Sequence, residues 1–257
     1  RIQSSPAESL MRRSVPPLDP HGSRAKVRDG AGGERPPFQQ CPATPSRRLF
    51  LSRLLSIVVI DPIPLRQQLR ARRRVLPVAE QRQAALAVAD RLADWPPFVA
   101  ARRIAGYWAC QGELDPSPWL ERAWPAGKAI YLPVLVDTSQ SLRFAPYRPE
   151  TPLRHNRFNI PEPDIAPEAW LEPVELDLVL TPLVAFDETG TRLGMGGGFY
   201  DRSFAFLLDP DYRRHRPWLI GLGYAFQKVA ALPRQPWDVP LDAVATEQGL
   251  HVFGERA

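Results

Sequence analysis

The residues best suited to chemistry form one short glycine-rich segment in the second half of the chain. Residues 192–202 read Arg-Leu-Gly-Met-Gly-Gly-Gly-Phe-Tyr-Asp-Arg and follow the apolar run at residues 178–186. Glycine allows backbone N–H groups to turn toward an anion, and a strand, such a loop and a helix often bind phosphate together. We expect a phosphate-binding loop here, with an ordinary glycine-rich turn as the alternative. Neither standard fingerprint is present, because no Gly-Lys-Ser/Thr follows and Phe199 stands at the last glycine position of G-x-G-x-x-G.

The distribution of charge argues against a nucleic-acid partner. The chain has 257 residues and a formal net charge of +5. Residues 1–60 contain ten Lys and Arg against four Asp and Glu, whereas residues 61–257 contain 23 against 24. Because a nucleic-acid binder needs a basic face on the folded domain, the near-neutral second part disfavours that class.

The cysteine pattern indicates a reducing compartment, and we expect a cytoplasmic location. Cys41 and Cys110 form no C-x-x-C, and the four histidines lack the spacing of metal ligands. The alternative is export, because Arg47 and Arg48 precede a short apolar run as in a twin-arginine signal. That run is interrupted by Arg53, is too short to span a membrane, and lacks a cleavage-site pattern.

The chain divides into an extension and one domain. Residues 1–60 show no helical or strand period until Leu49, and we expect them to be disordered or a non-native extension. Residues 61–257 form the predicted catalytic domain. Its predicted helices lie at residues 65–76, 77–95, 118–124 and 199–208, with a short one near 225–230. Its predicted strands lie at residues 103–109, 129–134, 141–147, 176–181, 218–223 and 243–246.

This alternation predicts an α/β fold of three layers, α/β/α, around a mostly parallel sheet. Apolar runs without polar alternation are typical of parallel strands that are covered on both faces. The connection at residues 148–173 contains six prolines, and we expect an irregular segment that could close over a site as a lid.

Several motifs in a fixed order carry a family resemblance. The strongest is residues 181–202, Thr-Pro-Leu-Val-Ala-Phe-Asp-Glu-Thr-Gly-Thr-Arg-Leu-Gly-Met-Gly-Gly-Gly-Phe-Tyr-Asp-Arg. Shorter ones are Arg-Gln-Gln-Leu-Arg at 66–70, Gly-Glu-Leu-Asp at 112–115, Tyr-Leu-Pro-Val at 131–134, Phe-Asn-Ile-Pro-Glu-Pro at 158–163, Trp-Asp-Val-Pro-Leu-Asp at 237–242 and Ala-Thr-Glu at 245–247. Together they resemble the 5-formyltetrahydrofolate cyclo-ligase, or methenyltetrahydrofolate synthetase, family.

The resemblance implies an enzyme that uses ATP and Mg²⁺ to convert 5-formyltetrahydrofolate to 5,10-methenyltetrahydrofolate, releasing ADP and phosphate. A formamide oxygen is a poor leaving group, so its phosphorylation would give an imidate-type phosphate that N10 attacks. This chemistry requires the protein to position the substrates and to neutralise the charge of the phosphates, with little acid–base catalysis. The implied partners are the folate and ATP, and we expect a monomer without membrane or nucleic-acid partners.

The resemblance also implies roles for particular residues. Arg192 and Asp201 would be catalytic, with Asp201 and Asp238 as ligands of Mg²⁺. Glu113 and Tyr200 would contact the folate, and Phe199 would serve packing. The predicted ATP-binding residues are Arg66, Arg70, Arg192, Leu193, Gly194, Met195, Gly196, Gly197, Gly198 and Tyr200, with no side-chain role carried over for Met195.

Alternatives stay open for the arginines and for Asp201. We interpret Arg72, Arg73 and Arg74 as a solvated basic face. Asp201 could instead be a helix N-terminal charge paired with Arg202.

Two other functions stay open as well. One is a sugar-phosphate isomerase or acyl-CoA transferase on a related sheet. The other is a non-catalytic folate- or nucleotide-binding relative, against which the combination of Arg192, Asp201, Asp238 and Glu113 argues.

Overall fold

A computed structural model describes residues 61–136, 140–212 and 215–254 of the protein. The extension and the export signal considered for residues 1–60 lie outside the described residues, so the predicted disorder stays a prediction. Within these ranges no helix combines the length and the apolar character that crossing a bilayer requires.

The chain alternates helices and strands as the sequence predicts. In the described ranges the helices are α1 (Pro62–Arg74), α2 (Val78–Ala93), α3 (Pro96–Ala100), α4 (Ser117–Ala123) and α5 (Phe199–Ser203). The strands are β1 (Arg103–Ala105), β2 (Ala129–Leu135), β3 (Leu142–Pro146), β4 (Leu153–His155), β5 (Pro161–Pro163), β6 (Leu178–Pro182), β7 (Ala185–Phe186), β8 (Arg192–Leu193), β9 (Trp218–Leu222), β10 (Ala243–Ala245) and β11 (Leu250–Val252). Short 3₁₀ turns lie at Pro167–Ala169, Pro173–Glu175, Ala205–Leu208 and Ala225–Gln227.

Seven strands form the central sheet in the order β11-β10-β9-β6-β1-β2-β3. The five inner strands, β10, β9, β6, β1 and β2, are parallel to their inner neighbours, and the two edge strands are antiparallel. The central strand β6 buries residues 178–181 completely, as its apolar sequence predicts for a strand covered on both faces.

Helices cover both faces of the sheet, which confirms the predicted α/β fold. On one face, α2, α3 and α4 bury apolar residues such as Leu92, Phe98 and Trp119 against the sheet. On the other face, Phe204 and Leu207, which follow α5, pack against β6, β9 and β10. The α2 residues chosen from the 3.6-residue period, Ala85, Val88, Ala89 and Leu92, are all buried.

Several elements differ from the prediction; for example, the strand predicted at residues 103–109 ends at Ala105. Helix α1 begins at Pro62 because the Asp61 side chain accepts a hydrogen bond from the Ile63 N–H (2.9 Å). The helix predicted at residues 199–208 ends at Ser203 and continues as a 3₁₀ turn. The proline-rich connection contains the hairpin β4–β5, fixed to β2 because Glu162 Oε1 accepts a hydrogen bond from the Leu135 N–H (2.9 Å).

The sheet order creates a switch point between β1 and β6. From β1 the chain goes outward to β2 on one side, whereas β6, β9 and β10 follow on the other side. The connections that leave the carboxyl ends of β1 and β6 therefore lie at the same edge of the sheet, where ligands bind in open α/β sheets. Glu113 follows β1, and the glycine-rich segment follows β6.

Candidate active site

The glycine-rich loop, residues 194–198, connects β8 to α5. Gly196 has a φ of 101°, and Gly198, at the N-cap of α5, has a φ of 64°, both in the left-handed region that favours glycine. A Cβ atom placed on Gly194 or Gly196 would meet no atom of the described residues within 4 Å. This stretch of backbone is therefore accessible to a ligand.

Arg192 lies at the start of the loop and is buried, with 6% of its side chain exposed. Its Nη2 donates a hydrogen bond to Asp201 Oδ1 (2.5 Å), and its Nη1 donates to the carbonyl of Val239. Burial lowers the pKa of the Arg192 guanidinium, while the charges of Asp201 and Asp238 act in the opposite direction. The structure thus places one buried cation near both carboxylates that were predicted to bind metal.

The two carboxylates keep capacity for a further ligand. Asp201 Oδ1 also accepts a hydrogen bond from the Val239 N–H (3.2 Å), and Asp238 Oδ2 accepts one from the Gln235 N–H (2.7 Å). Across the described ranges, no three His, Cys, Asp or Glu side chains form a cluster that could hold a metal ion. Mg²⁺ bound together with phosphates needs only one or two carboxylates, so this donor set fits such an ion.

The helix α1 brings its arginines to two different loops. Arg66 Nε donates a hydrogen bond to the carbonyl of Gly194 (2.9 Å), so its guanidinium lies at the glycine-rich loop. Arg70 Nη2 donates to Gln111 Oε1 (2.6 Å), and Arg70 Nε is buried without a hydrogen-bond partner among the described residues. Arg70 therefore lies beside the segment that carries Glu113.

The interpretation of Arg73 as part of a solvated face is wrong. Its side chain is 1% exposed, and its Nε and Nη1 donate hydrogen bonds to the carbonyls of Gln111 (3.2 Å) and Leu183 (3.1 Å). Arg73 follows Arg66 and Arg70 at the i, i+4 and i+7 positions of one helix face, and this spacing was the signal that could have identified it. Its neighbours Arg72 and Arg74 are exposed, as predicted.

Glu113 lies in the carboxylate loop, which we define as residues 106–116 between β1 and α4. Its side chain is 6% exposed, with Oε1 at 3.5 Å from Arg73 Nη2. Oε2 accepts a hydrogen bond from the Cys110 N–H (3.2 Å) and lies 3.5 Å from Cys110 Sγ. Burial raises the pKa of Glu113, and the positive charges of Arg73 and Arg70 partly oppose that rise.

The backbone before Glu113 makes a close approach to α1. Gln111 and Gly112 both have positive φ values, 53° and 75°. A Cβ atom on Gly112 would lie 2.8 Å from the carbonyl oxygen of Arg73, so only glycine fits there. On the other side of Glu113, the Tyr107 hydroxyl donates a hydrogen bond to the carbonyl of Leu114. These contacts close the carboxylate loop around Glu113.

A cavity of about 460 Å³ borders the carboxylate loop, within the size range of small-molecule sites. Glu113 and Tyr107 contribute to its lining together with the aromatic residues Trp108, Trp124 and Tyr147. The cavity therefore combines aromatic walls with polar groups, including Asp115 and Glu121.

Tyr200 lies between the two loops. Burial raises the pKa of its hydroxyl, the charge of Glu113 raises it further, and the charge of Arg192 lowers it. Its ring stacks on Phe204 with the ring centroids 6.4 Å apart. Phe199, which we expected to serve packing, makes an edge contact with Phe158 of the connection after β4 (5.9 Å between centroids).

Comparisons with known proteins agree with the fold and with the motifs. The sequence model of the 5-formyltetrahydrofolate cyclo-ligase family matches residues 62–247. The chain is 41% identical over 179 residues to the 5-formyltetrahydrofolate cyclo-ligase of Escherichia coli K12, covering 69% of this chain and 96% of that protein. It is 39% identical to the protein of the same name from Haemophilus influenzae, covering 69% and 92%.

A solved structure gives the same result. The NMR structure of Aquifex aeolicus 5,10-methenyltetrahydrofolate synthetase superposes with a TM-score of 0.63 at 28% identity, covering 76% of this chain and 94% of that one. Because the family model covers most of the chain and the relatives are matched over almost their full length, the chain belongs to the 5-formyltetrahydrofolate cyclo-ligase family.

Proposed function

We propose that the protein is an ATP- and Mg²⁺-dependent enzyme that converts 5-formyltetrahydrofolate to 5,10-methenyltetrahydrofolate and releases ADP and phosphate. The observation that carries this proposal is the buried Arg192, which contacts Asp201 at the open glycine-rich loop and shares Tyr200 as a neighbour with Glu113. Family membership supports the reaction class. The proposal joins a phosphate-binding half and a folate-binding half at one switch point.

The glycine-rich loop and α1 supply the groups for the triphosphate of ATP. The open backbone at Gly194 and Gly196 offers N–H donors, and Arg66 holds its guanidinium against that backbone. Arg70 adds a buried Nε that has no partner among the described residues, and such an atom is typical of a site that a ligand completes.

Asp201 and Asp238 would hold the magnesium ion. When bound, Mg²⁺ neutralises the charge of the phosphate oxygens. Arg192 would stabilise the charge on the γ-phosphoryl group during transfer, which is the task of an arginine beside a phosphate-binding loop. Its burial between carboxylates fixes the position of the guanidinium before ATP arrives.

The chemistry proceeds in two steps. First, the formyl oxygen of the folate attacks the γ-phosphorus, so that an O–P bond forms and the bond to the ADP oxygen breaks. Second, N10 attacks the formyl carbon of this imidate phosphate, and the ring closes as phosphate leaves and accepts the N10 proton. Glu113 would accept hydrogen bonds from the pterin, and Tyr200 would line the pterin site next to the loop.

The alternative is a relative that binds folate or nucleotide without catalysis. The pair Arg192–Asp201 favours the enzyme, because binding alone does not require a carboxylate and a guanidinium together at the phosphate loop. We also propose a cytoplasmic location, based on the two widely spaced cysteines, and a monomeric state.

The test is turnover of the purified protein with 5-formyltetrahydrofolate. We expect the near-ultraviolet absorbance of methenyltetrahydrofolate to rise only when ATP and Mg²⁺ are both present, and to stop rising when Mg²⁺ is chelated. Folate binding without any such rise would instead support the non-catalytic relative.

A further inference from the structure

Among the described residues, Arg73 is the largest charged side chain that is almost completely buried, and the proposed reaction assigns it no task. It is 1% exposed, and its guanidinium lies between the carboxylate loop and the end of β6. Burying a guanidinium is costly unless its hydrogen-bonding groups are matched, so a buried arginine beside an active site needs a physical explanation.

The guanidinium is fixed by backbone atoms that do not titrate. Its Nε donates a hydrogen bond to the carbonyl of Gln111, and its Nη1 donates to the carbonyl of Leu183. These carbonyls belong to the connections that follow β1 and β6, the two strands at the switch point. The planar, rigid fork of arginine can contact both while it directs a third nitrogen elsewhere.

That third nitrogen, Nη2, faces Glu113. It lies 3.5 Å from Glu113 Oε1 and has no hydrogen-bond partner among the described residues. Glu113 is itself buried, and its other oxygen accepts a hydrogen bond from the Cys110 backbone. An isolated carboxylate in such a place would take up a proton, whereas a fixed cation beside it favours the ionised form.

We propose that Arg73 is a positioning residue that keeps the Glu113 carboxylate ionised and oriented toward the folate cavity. This inference rests on the proposed function, because it gives Glu113 the folate as its ligand. Arg73 acts through Glu113 and is not proposed to contact the substrate.

The charges around Glu113 define the pH dependence. Arg73 and Arg70 approach from α1, Cys110 belongs to the same loop, and the hydroxyls of Tyr107 and Tyr200 are close enough for the Glu113 charge to act on them. Burial already raises the pKa of Glu113, with Arg73 as the first opposing influence. Loss of the Arg73 charge should raise that pKa further, so folate affinity should begin to fall at a higher pH than in the wild type.

The test is a double-mutant cycle on the dissociation constant of 5-formyltetrahydrofolate, measured by calorimetry on the full chain. We expect Arg73→Gln to weaken binding about 10- to 100-fold, by analogy with residues that orient the ligands of a metal ion. In a Glu113→Gln background the same substitution should cost far less, because the group that Arg73 orients is already gone. Arg82→Gln, on the exposed side of α2, is the matched control and should leave the dissociation constant unchanged.

Equal losses in both backgrounds would overturn the inference, because they would show that Arg73 acts only through the fold. If Arg73→Gln does not fold, the pH dependence of folate binding is measured with Arg73→Lys, which keeps the charge. Its acid limb should stay close to that of the wild type, and an acid limb at clearly higher pH would contradict the inference. Wild-type binding without ATP-dependent turnover would refute the proposed reaction and leave the Arg73 coupling measurable, whereas no folate binding would refute both.

Discussion

The glycine-rich loop and the carboxylate loop face the same edge of the sheet with opposite polarity. At the glycine-rich loop a buried cation, Arg192, has two carboxylates as neighbours beside an open backbone. At the carboxylate loop a buried carboxyl group, that of Glu113, has arginines of α1 as neighbours beside a cavity with aromatic and polar walls. The first arrangement suits a phosphate and a metal ion, and the second suits a neutral, hydrogen-bonding ring. The comparison shows that one sheet edge presents two chemically different environments next to each other.

The largest effect should come from the glycine-rich loop. We expect Arg192→Ala to lower kcat about 10³-fold, as is typical when an arginine that stabilises a transferring phosphoryl group is removed. The dissociation constant of 5-formyltetrahydrofolate should change little, because the proposed folate contact of Glu113 lies at the other loop. Single-turnover kinetics and calorimetry measure the two quantities separately. If Arg192→Ala lowers kcat and raises the folate dissociation constant by similar factors, the two loops do not have separate roles.

The carboxylate loop should show the converse pattern. Glu113→Gln, which keeps the size of the side chain, should raise KM for the folate about 10-fold or more, since hydrogen bonds to a charged group are worth more than neutral ones. KM for ATP should remain close to the wild-type value. Steady-state kinetics with each substrate varied in turn makes this measurement.

The pH dependence of folate binding tests whether Glu113 is the group that binds the folate. Because burial raises the pKa of Glu113, wild-type affinity should fall as the pH decreases through that raised pKa, above the pH at which an ordinary glutamate takes up its proton. Glu113→Gln should remove this acid limb. Persistence of the limb in that variant would assign it to another group.

A smaller effect tests the contact between the carboxylate loop and α1. Gly112 and Gly127 have nearly the same φ, 75° and 76°, but only a Cβ on Gly112 would collide with the Arg73 carbonyl. We expect Gly127→Ala to cost about 1 kcal/mol of folding free energy for the left-handed conformation. Gly112→Ala should cost about 1–3 kcal/mol more because of the overpacking. Urea denaturation of both variants gives the difference, and equal costs would mean that the close approach is unimportant.

Removal of residues 1–60 should have the smallest effect of the changes considered. A protein lacking residues 1–60 should keep the turnover and the melting temperature of the full chain, because the family model matches only residues 62–247. A loss of either property would assign the extension a part in the fold or the site.

The sequence predicted the glycine-rich loop better than the carboxylate loop, and the reason is physical. Arg192, the glycines and Asp201 lie within ten consecutive positions, so a local motif carries their arrangement. The partner of Glu113 is Arg73, 40 residues earlier on a helix, and only tertiary packing brings them together. The mostly parallel sheet and the buried face of α2 followed from the apolar pattern of the sequence, whereas the order of the strands did not. The hairpin β4–β5 did not, because its residues are largely exposed or proline and carry no strand period.

The most direct test of the proposed reaction traces the formyl oxygen of 5-formyltetrahydrofolate into the released phosphate. 5-Formyltetrahydrofolate with an isotopically labelled formyl oxygen is incubated with the protein, ATP and Mg²⁺, and the released phosphate is analysed by mass spectrometry. We predict that the label appears in the phosphate, because the formyl oxygen forms the O–P bond before N10 expels it. Methenyltetrahydrofolate formed together with unlabelled phosphate would contradict the proposed reaction, since the formyl oxygen would then not have been bonded to the γ-phosphorus.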